Sequence, residues 1–215
     1  MSGMRRCTVL LLWLCCTLAQ AGDIQQASAT RAQLEAANAD FTFRGRSIHP
    51  RAVEELLSWY ADGVAGTVAI DLDGTFNSNR YYGSFNRLDD GMVEFDRTAN
   101  TLDKPHPLAN LGWFRYQRLG TLRGKLHVLR IWNNGGGSLT PSDLLLVHFA
   151  LDEEYRPDGS KRLRLVMQRR GEIHLPLDYD GRIEVIDGGR RLRLGEPVHC
   201  CKDDTESPAR TLRFD

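Results

Sequence analysis

The chain has five cysteines and eight prolines in 215 residues, and its 28 lysines and arginines are matched by 28 aspartates and glutamates. Zero formal charge argues against a dedicated nucleic-acid binder, whose domain carries a clear basic excess. No set of apolar runs reaches the roughly 20 residues each that a polytopic membrane protein needs. No Asn-x-Ser/Thr acceptor occurs, which favours a bacterial periplasmic or secreted protein over a eukaryotic secreted one. What is present is ordinary globular composition, with 41% hydrophobic, 26% charged and 8% aromatic residues. That apolar fraction excludes a disordered or collagen-like chain.

The start of the chain reads as an export signal: Arg5 and Arg6, an apolar run from Thr8 to Leu18, then the small-x-small site Ala19-Gln20-Ala21. Cleavage is expected after Ala21, giving a soluble periplasmic or secreted product with no later membrane anchor. Leu14 before Cys15 is a poor lipoprotein context, as is the setting of Cys16. Loss of residues 1–21 removes Arg5, Arg6, Cys7, Cys15 and Cys16, so the expected mature charge is about -2 and only Cys200 and Cys201 remain. Two neighbouring cysteines make no disulfide framework, although they can close a vicinal disulfide or pair between chains. The fold must therefore rest on its core.

Residues 22–40 read as a leader or short helix, Ala-rich with Arg31 and Glu35 four apart, and residues 41–215 as a single β-rich domain. Pro50 followed by Val53, Leu56, Leu57 and Tyr60 predicts one packed helix, ended by Asp62-Gly63. Beyond Gly63 the apolar residues recur at period two, as in Val68, Ile70, Leu72, or Leu192 and Leu194. Asp90-Gly91, Asn134-Gly135, Pro157-Asp158-Gly159, Asp180-Gly181 and Asp187-Gly188-Gly189 punctuate the strands as turns. Leu126–Trp132 and Leu144–Leu151 are apolar on nearly both faces and predict central strands. Together these predict a mainly β (α+β) fold, an antiparallel sandwich or partly closed barrel of about nine or ten strands.

Val68-Ala69-Ile70-Asp71-Leu72-Asp73-Gly74-Thr75 resembles the D-x-D-G-T nucleophile loop of the haloacid dehalogenase phosphohydrolases. The resemblance implies attack on a phosphoryl group by Asp71, general acid/base work by Asp73, and Mg²⁺ held between them and a later acidic pair. It also implies strands alternating with helices in a parallel sheet, which the short turns after Gly74 do not provide. The same letters read as a half-buried strand with Val68, Ile70 and Leu72 inward and Asp73-Gly74 turning the chain. The strand reading is adopted, with the Mg²⁺-dependent phosphohydrolase as the alternative.

Other features point to binding. Between Ser160 and Gly195 nine basic residues face five acidic ones; Arg162 and Arg164 share a strand face, as do Arg191 and Arg193. Such guanidinium-rich surfaces suit an anionic polymer, an envelope lipid head group or an acidic protein partner. Gly135, Gly136 and Gly137 let a ligand approach the backbone, and Tyr81, Tyr82, Trp113, Tyr116 and Trp132 are candidates for a stacking platform. His127 and His148 are candidates to face each other across paired strands. No spacing makes a metal site locally, though one assembled in three dimensions stays open, and no cofactor motif is read. His199 beside Cys200 is no nucleophile–base pair, because strand neighbours point to opposite faces. The expectation is a non-catalytic binding module of the envelope or extracellular space. A second alternative is an envelope assembly factor that recruits a partner by strand addition.

Overall fold

The computed structural model describes residues 30–58, 69–77, 85–97, 112–135, 140–198 and 210–214. The expected signal segment, Tyr60, Asp62-Gly63, Val68, Tyr81, Tyr82, Gly136, Gly137, His199, Cys200 and Cys201 lie outside these residues.

The first described element is a helix, α1, over residues 30–40. It stops at Phe41, whose φ of 55° is left-handed and whose N–H donates to Ala37 O at 3.0 Å. A small hairpin follows, β1 (Thr42–Phe43) and β2 (Arg46–Ser47), closed by Arg44 and Gly45 at φ 52° and 73°, the geometry of a type I′ turn. Helix α2 (Pro50–Ser58) forms where the Pro50 signal places it. His49 caps it, its Nδ1 accepting the Arg51 N–H at 3.2 Å. Ala52, Val53 and Leu56, on one stripe, have no exposed surface.

β3 (Ala69–Asp71) leads directly into α3 (Leu72–Asn77), a correction to the hairpin turn expected at Asp73-Gly74. Asp71 Oδ1 accepts the N–H groups of Asp73 at 3.0 Å and Gly74 at 3.1 Å, which makes it a helix N-cap. Capping satisfies two otherwise orphaned donors, and that outweighs the Asp-Gly preference for a hairpin. The remaining elements are strands: β4 (Asn86–Arg87), β5 (Met92–Asp96), β6 (Trp113–Leu122), β7 (Leu126–Asn134), β8 (Ser142–Tyr155), β9 (Lys161–His174), β10 (Ile183–Ile186), β11 (Arg191–Leu194) and β12 (Arg210–Arg213).

Seven strands form one curled antiparallel sheet, a half-barrel of order β3-β9-β8-β7-β6-β5-β4. The fold is mainly β with a few helices, and the three two-residue strands β1, β2 and β4 take the count past the expected ten. β7 and β8 are central, as their nearly continuous apolar runs predict. Bulges at Arg118/Gly120 in β6 and opposite Leu146/Val147, where Arg170 of β9 is the extra residue, help the sheet to curl.

Each face of the sheet has its own core. On one, Leu129, Ile131, Leu145, Val147, Leu165 and Met167 meet α1, α2 and the β1–β2 hairpin through Ala37, Phe43, Val53 and Leu56. On the other, Val128, Leu144 and Leu146 meet Leu192 and Leu194 of a separate sheet of order β10-β11-β12. Tight seating of that small sheet explains two glycines. A Cβ at Gly189 would lie 2.8 Å from Thr121 O, and one at Gly120 would lie 3.0 Å from Val185 Cγ2. β11 therefore has one face committed to the core and the other left outward.

Candidate functional site

The outward face of β10–β12 follows from simple alternation. In Arg191-Leu192-Arg193-Leu194 the leucines are buried and the arginines exposed. The register places Arg191 opposite Arg213, Arg193 opposite both Glu184 and Thr211, and Ile186 opposite Arg191. Residues 182–194 and 210–214 hold six arginines (Arg182, Arg190, Arg191, Arg193, Arg210, Arg213) against two carboxylates, Glu184 and Asp187.

Those two carboxylates are shared out. Asp187 Oδ2 pairs with Arg191 Nε at 2.8 Å, and Glu184 takes both Arg193 and Arg182, the latter at 2.6 Å. The hydrogen bond from Arg193 holds the Glu184 carboxyl below its usual range. The arginine side chains remain open to water, Arg191 at 46% and Arg193 at 54% exposure. Arg213, Arg210 and Arg190 carry no ion pair among the described residues. Arg191 and Arg213 are thus like charges directly across a strand pair, with Asp187 on Arg191 as their counter-charge.

Arg162 and Arg164 belong to a different surface, at the β8–β9 end of the large sheet. Each faces an acid across the register, Arg162 opposite Glu154 and Arg164 opposite Asp152. Arg164 Nη2 bonds Asp152 Oδ2 at 2.6 Å, and Arg162 bonds Glu154 and reaches Asp71 Oδ2 at 2.9 Å. Asp73 is held by Arg44 and lies 3.9 Å from Arg162. This is a closed ladder of opposite charges joining β3, α3, β8 and β9. The four sequence-nominated arginines therefore fall on two sheets, and of the two surfaces the one that holds Arg191 and Arg193 has more arginines than carboxylates.

The same ladder fixes Asp71 and Asp73. One oxygen of Asp71 caps α3 and the other pairs with Arg162, so its lone pairs are directed to donors already present. β3 meets β9 antiparallel, whereas the phosphohydrolase resemblance implies a parallel neighbour.

The Gly-rich connection is pinned at its base. Asn133 N donates to Pro141 O at 3.3 Å and Asn134 Nδ2 to Thr140 Oγ1 at 3.1 Å. Arg97, paired with Glu54 of α2, donates to Asn134 O at 2.8 Å and Asn133 Oδ1 at 2.7 Å. Gly135 follows the last residue of β7 and has open space at its Cβ position.

Of the aromatics, Tyr116 is a core residue whose hydroxyl donates to Ile48 O at 2.6 Å. Trp113 stacks under Arg115, 3.7 Å from the guanidinium carbon, and Trp132 lies beside Arg130. His127 and His148 do not face each other. His127 lies opposite Val147 and packs on Phe41 and Phe149 on the helix side, while His148 lies opposite Gln168. Strand alternation then sends His148 to the other face.

Arg213 was missed in the sequence. The only signal there was Arg213 between Leu212 and Phe214, an alternation too short to predict a strand. Comparison of the chain with family models, curated proteins and solved structures finds no match.

Proposed function

We propose that the chain is an exported, non-catalytic binding module whose basic β10–β12 face holds an anionic component of the cell envelope. One observation carries the reading: Arg191 and Arg213 sit directly opposite each other on an exposed face of a small sheet whose segments hold six arginines and two carboxylates. A phosphate or carboxylate beside the exposed Thr211 would take charge-assisted hydrogen bonds from Arg213 and from the guanidinium N–H groups that Asp187 and Glu184 leave open on Arg191 and Arg193. The signal-like pattern from Arg5 to Ala21 supports the envelope as the place where such a ligand is met. On the opposite side of the molecule's charge inventory, Asp71 and Asp73 are engaged as a helix cap and as arginine partners, which favours binding over phosphoryl transfer.

The test is co-sedimentation of the full chain with vesicles of phosphatidylglycerol and of phosphatidylcholine, with a soluble polyanion as a second arm. Binding to the anionic vesicles is expected, weakening as salt rises. The triple variant Arg191→Gln, Arg193→Gln, Arg213→Gln should lose at least about tenfold in affinity, while Arg162→Gln with Arg164→Gln should leave it unchanged. Unchanged binding by the triple variant, or silence with every anionic probe, overturns the proposal.

A further inference from the structure

The β8–β9 pairing brings together three side chains that sequence spacing keeps apart. Asp143, near the start of β8, lies directly opposite His174, the last residue of β9, and Glu172 precedes His174 by two on the same face. Asp143 Oδ1 is 3.3 Å from His174 Nδ1, Glu172 Oε1 is 3.9 Å from it, and the three donor atoms lie within 4.8 Å of one another. A tetrahedral zinc ion with bonds of about 2.0–2.1 Å separates its ligand atoms by about 3.3–3.4 Å. The Asp143–His174 separation is thus at coordinating distance, and the Glu172–His174 separation is about 0.5 Å longer, within reach of a side-chain adjustment.

The surroundings orient these donors. Arg169, itself 9% exposed, holds Glu172 through Oε2 and leaves Oε1 turned towards His174. The Leu175 N–H donates to Asp143 Oδ1 at 3.2 Å. Partners of this kind fix the direction of a ligand group before an ion arrives. The charge is also unbalanced: two carboxylates converge at 25% and 12% exposure, and Arg169 compensates one of them. His174 is 75% exposed, so a fourth position faces water.

We propose that Asp143, Glu172 and His174 form a binding site for a divalent transition-metal ion of the zinc type. Three protein donors and one solvent position make the coordination set. The imidazole selects against the hard ions Mg²⁺ and Ca²⁺, which prefer all-oxygen shells. The site uses no residue of the basic β10–β12 face.

The experiment is calorimetric titration of the full chain, stripped of metal by chelator and dialysed, with Zn²⁺ and separately with Mg²⁺. One Zn²⁺ per chain is expected, with Mg²⁺ binding at least about tenfold weaker. His174→Ala, at an exposed position, and Asp143→Asn, which keeps an acceptor for the Leu175 N–H, should each weaken Zn²⁺ by about tenfold or more. Zn²⁺ should also raise the Tm of the parent chain and not that of His174→Ala. Absence of saturable uptake up to about 1 mM Zn²⁺, or equal affinity in parent and both variants, which would place the ion elsewhere, overturns the proposal. So does a preference for Mg²⁺.

Discussion

His127 shows how one side chain can set the acid limit of the fold. It has no exposed surface, its ring meets Phe41 and Phe149 edge-on, and its Nε2 has no hydrogen-bond partner among the described residues. Burial, helped by the charges of Arg118 and His148, lowers its pKa to about 4. A histidine depressed in the fold binds its proton more readily in the unfolded chain, at about pH 6.5. Stability is therefore complete above that value and lost as pH falls from about 6.5 towards 4. Between pH 8 and pH 5 this one group should cost about 2 kcal/mol. Urea unfolding at the two pH values checks it. His127→Leu, which cannot charge, should lose correspondingly less on acidification than the parent, and equal acid slopes would remove His127 as the cause.

At the scale of elements, Asp71 separates two roles that sequence leaves combined, cap and counter-charge. Asparagine caps a helix about as well as aspartate but cannot pair with Arg162. Asp71→Ala should therefore be less stable than Asp71→Asn by about 1–2 kcal/mol in urea unfolding, and equal losses would show that the cap contributes nothing. The same residue marks where sequence reading stops. α2 was legible because Pro50 and the i, i+3 spacing of Val53 and Leu56 act within one element. The turns at Asp90-Gly91 and Pro157-Asp158-Gly159 were legible for the same reason. They recur in the structure with the bonds Gly91 N to Leu88 O and Gly159 N to Arg156 O. α3 was not, because Asp-Gly suits a hairpin and a helix start alike and only the Asp71 cap decides. The β6–β7 connection through Gly124 at φ 71° was passed over, since Arg-Gly-Lys carries a weak turn signature.

The whole molecule is a sheet with a core on each face, and this is what joins stability to the proposed function. Half of the basic face was legible, because Arg191 and Arg193 alternate with apolar residues along one strand. Their opposite number Arg213 was not, because strand pairing across 22 residues is a tertiary fact. That alternation means that filling the second core with Leu192 and Leu194 and presenting Arg191 and Arg193 are one event. Leu192→Ala removes no charge, yet it should cost about 2–5 kcal/mol and loosen the sheet that aligns the arginines. Leu145→Ala, equally buried but in the helix-side core, should cost a similar amount. Below their own Tm values the two variants should then differ: Leu192→Ala should bind anionic vesicles more weakly than the parent, and Leu145→Ala as well as the parent. Equal binding by both would mean that the arginines act as a diffuse charge patch whose alignment on β11 and β12 is irrelevant, because a field summed over several angstroms tolerates loosened strands whereas a bridged pair of guanidinium groups does not.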